Sequence, residues 1–167
     1  MKDKLTESDI KKMEEEIEYR KVTLRPQLLE HVKTARAHGD LSENFEYKAA
    51  KQEKNRNDSR IRYLEKMIKT AVIIDDSSKD DEVGINNTVT VRFEDDDSEE
   101  QYKIVTTVRS NSLKGLISIE SPLGKALMHH KKGDRVKVTV DDNISYYVTV
   151  VEIDKSTDDS QDALNSY

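Results

Sequence analysis

Residues 35–47 read ARAHGDLSENFEY, and this stretch decides the fold of the first half of the chain. Gly39 follows one long helical pattern, and glycine is the residue that most often stands just past the end of a helix. A second helical pattern begins at about Asn44, only a few residues later. Because the connection is so short, it predicts that the two helices pack as an antiparallel hairpin.

The first helix is predicted from the spacing of its apolar residues. They fall three, four or seven positions apart, which is helical periodicity, at Ile10, Met13, Ile17, Leu24, Leu28 and Val32. Thr6 and Asp9 resemble the capping box that begins many helices. Pro26 lies inside the pattern and predicts a kink or a split there, because proline has no N–H to donate.

The second helix is predicted from about Asn44 to Ala71. Its apolar positions end with the spacing of a coiled coil and are Phe45, Ala49, Ile61, Leu64, Ile68 and Ala71. At the helical rise per residue, helices of about 28–30 residues predict an arm of roughly 40–45 Å. We therefore expect residues 39–43 to lie at the tip of a long arm.

The second half of the chain predicts a small β-sheet. Its β-rich segments are short and separated by polar turns, and they are Ala71–Ile74, Thr88–Phe93, Gln101–Thr107, Leu116–Glu120, Arg135–Val140 and Ser145–Ile153. Ser121-Pro122 opens a short helical segment that runs through Met128. The predicted fold class is α+β, with a coiled-coil hairpin over residues 1–76 and a β-rich domain over residues 77–153. We expect the polar tail, residues 154–167, to be disordered.

Composition limits what kind of protein this can be. The 167 residues are 34% hydrophobic and 37% charged, so the chain can bury only a thin core. It has no cysteine, which excludes disulfides, zinc–thiolate sites and a thiol nucleophile. No apolar run approaches the ~20 residues of a membrane span, and residues 1–4 do not begin a signal peptide. We therefore expect a soluble cytoplasmic protein with no membrane partner.

Charge is divided unevenly along the chain. Residues 1–78 carry 17 basic and 16 acidic side chains, whereas residues 79–167 carry 11 and 18. The most basic stretch spans residues 48–69, whose cations are Lys48, Lys51, Lys54, Arg56, Arg60, Arg62, Lys66 and Lys69. Such a face either attracts the phosphates of a nucleic acid or is an ordinary solvated surface with ion pairs between helical turns.

Two acidic residues, Asp40 and Glu43, lie near the tip. Asp40 with Glu43, or Ser42 alone, would cap the second helix by accepting hydrogen bonds from its free N–H groups. The residues alone favour the cap.

The chain resembles the GreA/GreB family of bacterial transcript cleavage factors over about residues 5–153. The tip carries most of this resemblance, in the runs Ala35–Asn44, Glu46-Tyr47 and Ala49–Lys51. Shorter runs continue it through both halves: Arg60-Ile61, Leu64-Glu65, Val72–Asp75, Tyr102–Val105, Ile117-Ser118, Ser121–Leu127 and Gly133-Asp134. The resemblance implies a coiled-coil finger followed by a globular domain similar to FKBP-type folds.

The resemblance also implies an activity. Factors of this family place the finger in the secondary channel of bacterial RNA polymerase and stimulate the polymerase's own cleavage of the RNA 3′ end in backtracked complexes. Asp40 and Glu43 match the family's essential acidic residues and would be catalytic, as ligands of an Mg²⁺ ion shared with the polymerase. The factor would then bind no cofactor stably and would not be a free-standing nuclease.

Two further groups of residues receive roles from the same resemblance. Arg36 and Lys51 would contact the 3′ end of the nascent RNA. Ser121, Pro122 and Leu123 would dock on the polymerase at the rim of the channel. We expect the factor to act as a monomer.

The chain departs from the family pattern at a few positions. Phe45 stands where a small alanine is usual, and Thr106 stands where glycine is usual. The other departures are Asn86-Asn87, Thr107–Asn111 in place of an acidic stretch, and His129-His130. Since most of them lie in the second half, they keep open a channel-binding factor that modulates or inhibits transcription without stimulating cleavage. A coiled-coil adaptor with a prolyl-isomerase-like domain is disfavoured, because the second half has no Trp to line a proline pocket.

Overall fold

A computed structural model describes residues 2–38 and 44–166 of the chain. It divides the chain into two compact units. The first unit contains residues 9–71, and the second contains residues 4–8 together with residues 72–166. The predicted fold class, a long helical hairpin followed by a β-rich domain, is confirmed.

The helical unit is a hairpin of three helices in sequence. Helix α1 (Glu7–Glu18) continues through a π-helical turn (Tyr19–Leu24) into α2 (Arg25–Arg36), and α3 (Phe45–Thr70) returns. Its side-chain pairs show the antiparallel arrangement, because Glu16 contacts Arg60, Arg25 contacts Asp58 and Arg36 contacts Tyr47.

The helical pattern is interrupted next to Pro26, as predicted. The interruption is a π-helical turn, in which the N–H of Arg25 donates to the carbonyl of Arg20. Pro26 follows in the first turn of α2, where its missing N–H is tolerated. The helix therefore widens just before the proline, which has no N–H for an α-helical hydrogen bond.

The hairpin is held by a thin apolar seam and a polar network. Met13, Leu28, Ile61 and Leu64 are buried. Phe45, predicted to belong to the same stripe, is 80% exposed, so its assignment to the seam is wrong. The reason is its position in the first turn of α3, beyond the last apolar contacts of α2.

The second unit is built on a five-stranded mixed sheet. Its strands are β3 (Thr88–Phe93), β4 (Glu99–Val105), β5 (Leu116–Ser118), β6 (Arg135–Thr139) and β7 (Ser145–Asp154), in the spatial order β5-β4-β3-β7-β6. Only β4 and β5 pair in parallel among these strands. A separate parallel pair joins β1 (Lys4–Leu5) to β2 (Val72–Ile73), and β1 was not predicted from the sequence.

The core of this unit lies on one face of the sheet. Alternating residues of the strands point into it, as the pattern Thr88-Val89-Thr90-Val91 predicts. The buried members of the core are Val83, Val89, Val91, Ile104, Leu127, Val136, Val138, Val148 and Val150. Leu127 belongs to α4 (Pro122–Leu127), the short helix that closes this face.

The polar tail, predicted to be disordered, contacts the sheet unit. Residues 155–166 form no helix or strand, but Asp162 pairs with Lys103 and Arg109, and Asn165 bonds to the backbone of Val108. These contacts are charged and polar, so the low hydrophobicity of the tail gives no sign of them.

Among the helices within residues 2–38 and 44–166, none combines the length and hydrophobicity that a bilayer crossing needs.

Candidate functional site

The end of the helical hairpin is fixed by one side chain, Asn44. Its Nδ2 donates to the carbonyl of Ala35 near the end of α2, at 2.7 Å. Its Oδ1 accepts from the N–H of Tyr47 in the first turn of α3, at 3.0 Å. One amide thus caps α3 and ties it to the end of α2.

The predicted caps, Ser42 alone or Asp40 with Glu43, lie outside the described residues. The residue that caps α3 in the structure is Asn44. The signal was present in the sequence, because Asn is among the best capping residues and directly precedes the helix. Asp40 and Glu43 themselves lie outside the described residues, so their assignment as metal ligands and catalytic groups stays a prediction.

Arg36 and Lys51, the predicted RNA contacts, are brought together on Tyr47. An Nη2 of Arg36 donates to the Tyr47 hydroxyl at 3.0 Å, and its guanidinium carbon lies 5.4 Å from the ring centroid. The Nζ of Lys51 lies 5.9 Å from the same centroid. Both cations are largely exposed, and the half-buried tyrosine orients them on one side of the hairpin end.

The electrostatic effect of this cluster is visible in Tyr47 itself. The hydrogen bond from Arg36, together with the charges of Arg36 and Lys51, lowers the pKa of the Tyr47 hydroxyl from its usual value. A lowered pKa means that the cluster favours a negative oxygen at this position. The same property would favour a phosphate oxygen placed beside these cations.

A second aromatic side chain stands next to the hairpin end. Phe45 is 80% exposed, and the Nζ of Lys48 lies 5.8 Å from its ring centroid. The ring therefore faces solvent and does not pack across the hairpin. An exposed aromatic face beside a lysine has the two properties that stack a base and attract its phosphate.

The basic stretch of α3 divides into structural and solvated cations. Arg60 is buried, and both of its hydrogen bonds to the Glu16 carboxylate cross the hairpin. Lys54 pairs with Asp58 one turn away, and the same Asp58 accepts from Arg25. The cations that remain exposed nearest the hairpin end are Lys48 and Lys51. Counting Arg60 as part of a nucleic-acid face is therefore wrong.

The predicted docking residues form the start of α4. The Ser121 hydroxyl donates to the carbonyl of Ser118 and accepts from the N–H of Gly124, and thereby caps the helix. Pro122 is exposed, whereas Leu123 packs partly against the sheet core. A Cβ on Gly124 would come within 2.0 Å of the Ser118 oxygen, so this turn requires glycine. Ser121 thus has a structural role, and docking by this segment stays a prediction.

His129 and His130 each lie beside one carboxylate. Nδ1 of His129 lies 3.7 Å from Glu82, and Nδ1 of His130 lies 3.0 Å from Asp134. In the parts of the chain that the structure describes, no group of three His, Cys, Asp or Glu side chains could hold a metal ion. The Mg²⁺ expectation therefore depends on Asp40 and Glu43, whose carboxylate oxygens have the chemistry that this ion prefers.

Two family models match nearly the whole chain. The model described as "Transcription elongation factor, N-terminal" matches residues 4–73. The model described as "Transcription elongation factor, GreA/GreB, C-term" matches residues 77–155. The two matched ranges correspond to the helical hairpin and to the sheet domain without the last part of its tail.

Curated proteins named "Transcription elongation factor GreA" are similar over most of their length. The protein of Macrococcus caseolyticus is 42% identical over 149 residues, which are 89% of this chain and 94% of that protein. The protein of Thermoanaerobacter pseudethanolicus is 46% identical over 137 residues, which are 81% of this chain and 87% of that protein. The solved structure of GreA factor homolog 1 (Gfh1) of Thermus thermophilus is 25% identical, with a TM-score of 0.42 and coverage of 92% of this chain and 99% of that chain.

Proposed function

Because the chain belongs to the GreA/GreB family of transcription elongation factors, we propose that it enters the secondary channel of bacterial RNA polymerase and stimulates cleavage of the RNA 3′ end in backtracked complexes. The observation that supports this finer activity is the construction of the hairpin end. Asn44 ties the two helices on either side of segment 39–43, and Arg36 and Lys51 gather on Tyr47 beside it.

In this proposal each group at the hairpin end has a separate task. Asp40 and Glu43 contribute carboxylate oxygens to a magnesium ion whose remaining ligands come from the polymerase and the RNA phosphate. When bound, that ion supplies Lewis acidity and an activated water. Arg36 and Lys51 offset the phosphate charge of the extruded RNA, and Tyr47 holds Arg36 in position. The factor is then no nuclease by itself.

The sheet domain would supply most of the affinity for the polymerase. Stable complexes bury roughly 1,200–2,000 Å² in total, which a narrow hairpin end does not offer. We assign docking to the start of α4, residues 121–123, where Pro122 is exposed, in a factor that acts as a monomer in the cytoplasm. Docking there would raise the effective concentration of the hairpin end at the active site of the polymerase.

The decisive experiment uses a halted, backtracked elongation complex and the variants Asp40→Asn and Glu43→Gln. Each substitution removes a metal-binding charge and keeps the size of the side chain, so we expect RNA cleavage to fall about tenfold or more. Polymerase affinity should stay within a factor of about two, because the carboxylates add little contact area. Glu46→Gln is the matched control, since Glu46 is an exposed acid in the first turn of α3.

Two results would contradict the proposal. Equal losses of binding and cleavage in Asp40→Asn and Glu43→Gln would make these residues docking contacts. A wild-type chain that binds the complex and slows elongation without releasing an RNA fragment would be a channel-binding inhibitor instead.

A further inference from the structure

The C-terminal tail carries an Asp and an Asn that both contact the sheet domain. The Asp162 carboxylate accepts from the Nζ of Lys103 at 2.9 Å and from an Nη1 of Arg109 at 3.0 Å. Asn165 donates its backbone N–H to the Val108 carbonyl at 2.7 Å and its side-chain Nδ2 to the Thr107 carbonyl at 2.9 Å. These contacts join residues more than fifty positions apart in sequence.

The recess that receives Asp162 contains a buried arginine, Arg109. The Arg109 side chain is 0% exposed and the Asp162 side chain is 8% exposed, so their ion pair is shielded from water. The same Nη1 of Arg109 also donates to the Asn86 side chain at 2.8 Å, which fixes the guanidinium from a second direction. Removing one partner of such a buried pair leaves the other charge without compensation, which costs far more than breaking a surface ion pair.

Most residues around this recess, though not Lys103, stand where the chain departs from its family pattern. Asn86, Thr107, Val108 and Arg109 all belong to those departures. The tail that they hold begins where the matched part of the chain ends, at residue 155. The tail thus lies beyond the matched range and contacts residues at which the chain departs from the family pattern.

We propose that residues 158–165 are a built-in peptide ligand of the sheet domain. The site is formed by Lys103, Arg109 and the carbonyls of Thr107 and Val108, and it takes an acidic segment with Asp at one position and Asn three residues later. Its occupant is the chain's own tail, which acts as a strap over the loop of residues 106–111. The loop is thereby held next to β5, to which Thr107 already bonds through the hydroxyl of Ser118 at 2.7 Å.

Hydrogen–deuterium exchange of the full-length chain tests the strap. In the wild type, the backbone amides of residues 158–166 should exchange about tenfold or more slowly than those of an unstructured peptide. Asp162→Asn should raise their exchange to the unstructured rate and should also speed exchange in residues 107–111. Asp162→Glu, which keeps the charge, should restore part of the protection.

The control variant is Asp142→Asn, which makes the same change of charge on the exposed turn before β7. It should leave the exchange of the tail unchanged. If Asp162→Asn also speeds amide exchange in β3, that result indicates a general loss of stability. In that case Asn165→Ala is the deciding variant, because it keeps the ion pair and removes only the bonds of the Asn165 side chain to the loop. Exchange of the wild-type tail at the unstructured rate, or equal tail protection in the wild type, Asp162→Asn and Asn165→Ala, would overturn the proposal.

Discussion

At the scale of single residues, Tyr47 reports directly on the charge at the hairpin end. The hydrogen bond from Arg36 and the charges of Arg36 and Lys51 lower the pKa of its hydroxyl. Arg36→Ala should therefore raise the pKa of Tyr47 toward its ordinary value. Nuclear magnetic resonance of chain labelled at the tyrosine Cζ carbons measures this titration residue by residue.

Arg62→Ala is the control for Arg36→Ala, because it removes the same charge. Arg62 bonds to Ser59 in the middle of α3, away from Tyr47. The control substitution should leave the Tyr47 titration unchanged. Equal titration curves for Tyr47 in wild type and Arg36→Ala would show that the hydrogen bond does not persist in solution.

Glu16 connects protonation to the stability of the hairpin. Its partial burial raises the pKa, but hydrogen bonds from Arg60 and Arg20 outweigh this effect and hold the pKa below its usual value of 4.5. Because the pKa is lower in the folded than in the unfolded chain, Glu16 stabilises the fold above its unfolded pKa and loses this contribution as the pH falls through its folded pKa. Acidification below about pH 4.5 should thus lower the unfolding midpoint of the wild type more steeply than that of Glu16→Gln.

Circular dichroism at a series of pH values measures the unfolding midpoints of both chains. Glu14→Gln provides the comparison, since Glu14 is an exposed acid on the same helix. If Glu16→Gln and Glu14→Gln follow the same pH curve, the ion pairs of Glu16 contribute nothing measurable.

At the scale of elements, the π-helical turn is joined to α3 by Asn57. This buried side chain accepts from an Nη1 of Arg20 at 3.0 Å and donates to the Arg20 carbonyl at 3.2 Å. Asn57→Ala removes both bonds and leaves buried polar groups without these partners, so it should destabilise the hairpin by about 1–3 kcal/mol. Urea unfolding measures the change, with the exposed Asn55→Ala expected within about 0.5 kcal/mol of wild type. A loss of similar size in both variants would assign the effect to helix propensity.

Most elements were predictable because their patterns are local. The strand Thr88–Phe93 follows from alternation, and the helix Phe45–Thr70 follows from its spacing and the absence of Gly and Pro. The two-residue strand Lys4–Leu5 was not predictable, because its partner, Val72–Ile73, lies far along the chain. The Asp162 contacts were missed for the same reason, since a polar tail shows no periodicity that reveals a distant Arg109.

The candidate site was predicted unevenly. Arg36 and Lys51 were identified through the family resemblance, and the structure adds Tyr47 as the side chain that brings them together. Asn44 was not predicted as the cap, because Ser42, Asp40 and Glu43 just before it also fit common capping patterns. A bridge from one helix to the other depends on the geometry of both, which local sequence does not contain.

At the scale of the whole molecule, the cations of the hairpin end should make activity on RNA depend on salt. Loss of Arg36 and Lys51 removes two phosphate contacts, and each contact contributes a released counterion to the salt dependence. The double variant Arg36→Ala, Lys51→Ala should therefore cleave more weakly and show a flatter dependence on potassium chloride concentration, most clearly for complexes with longer extruded RNA.

The matched control is the double variant Lys66→Ala, Lys69→Ala, which removes the same charge at the other end of α3. Its salt dependence should equal that of the wild type. If the salt dependence of cleavage is unchanged in the Arg36→Ala, Lys51→Ala variant, both residues belong to an ordinary solvated surface and do not contact RNA phosphates.

The π-helical turn accommodates one inserted residue in the first arm of the hairpin. A π-helical turn holds one residue more than an α-helical turn that covers the same distance, so α1 and α2 keep their alignment across an extra residue. Deleting the exposed Val22 in a Pro26→Ala background would let the turn close as an ordinary α-helix and leave the pairs on both sides, Glu16–Arg60 and Arg36–Tyr47, in register. With Pro26 retained, its ring would press against the carbonyl four residues earlier. The extra residue is therefore the spacing that lets a proline stand inside this long helix.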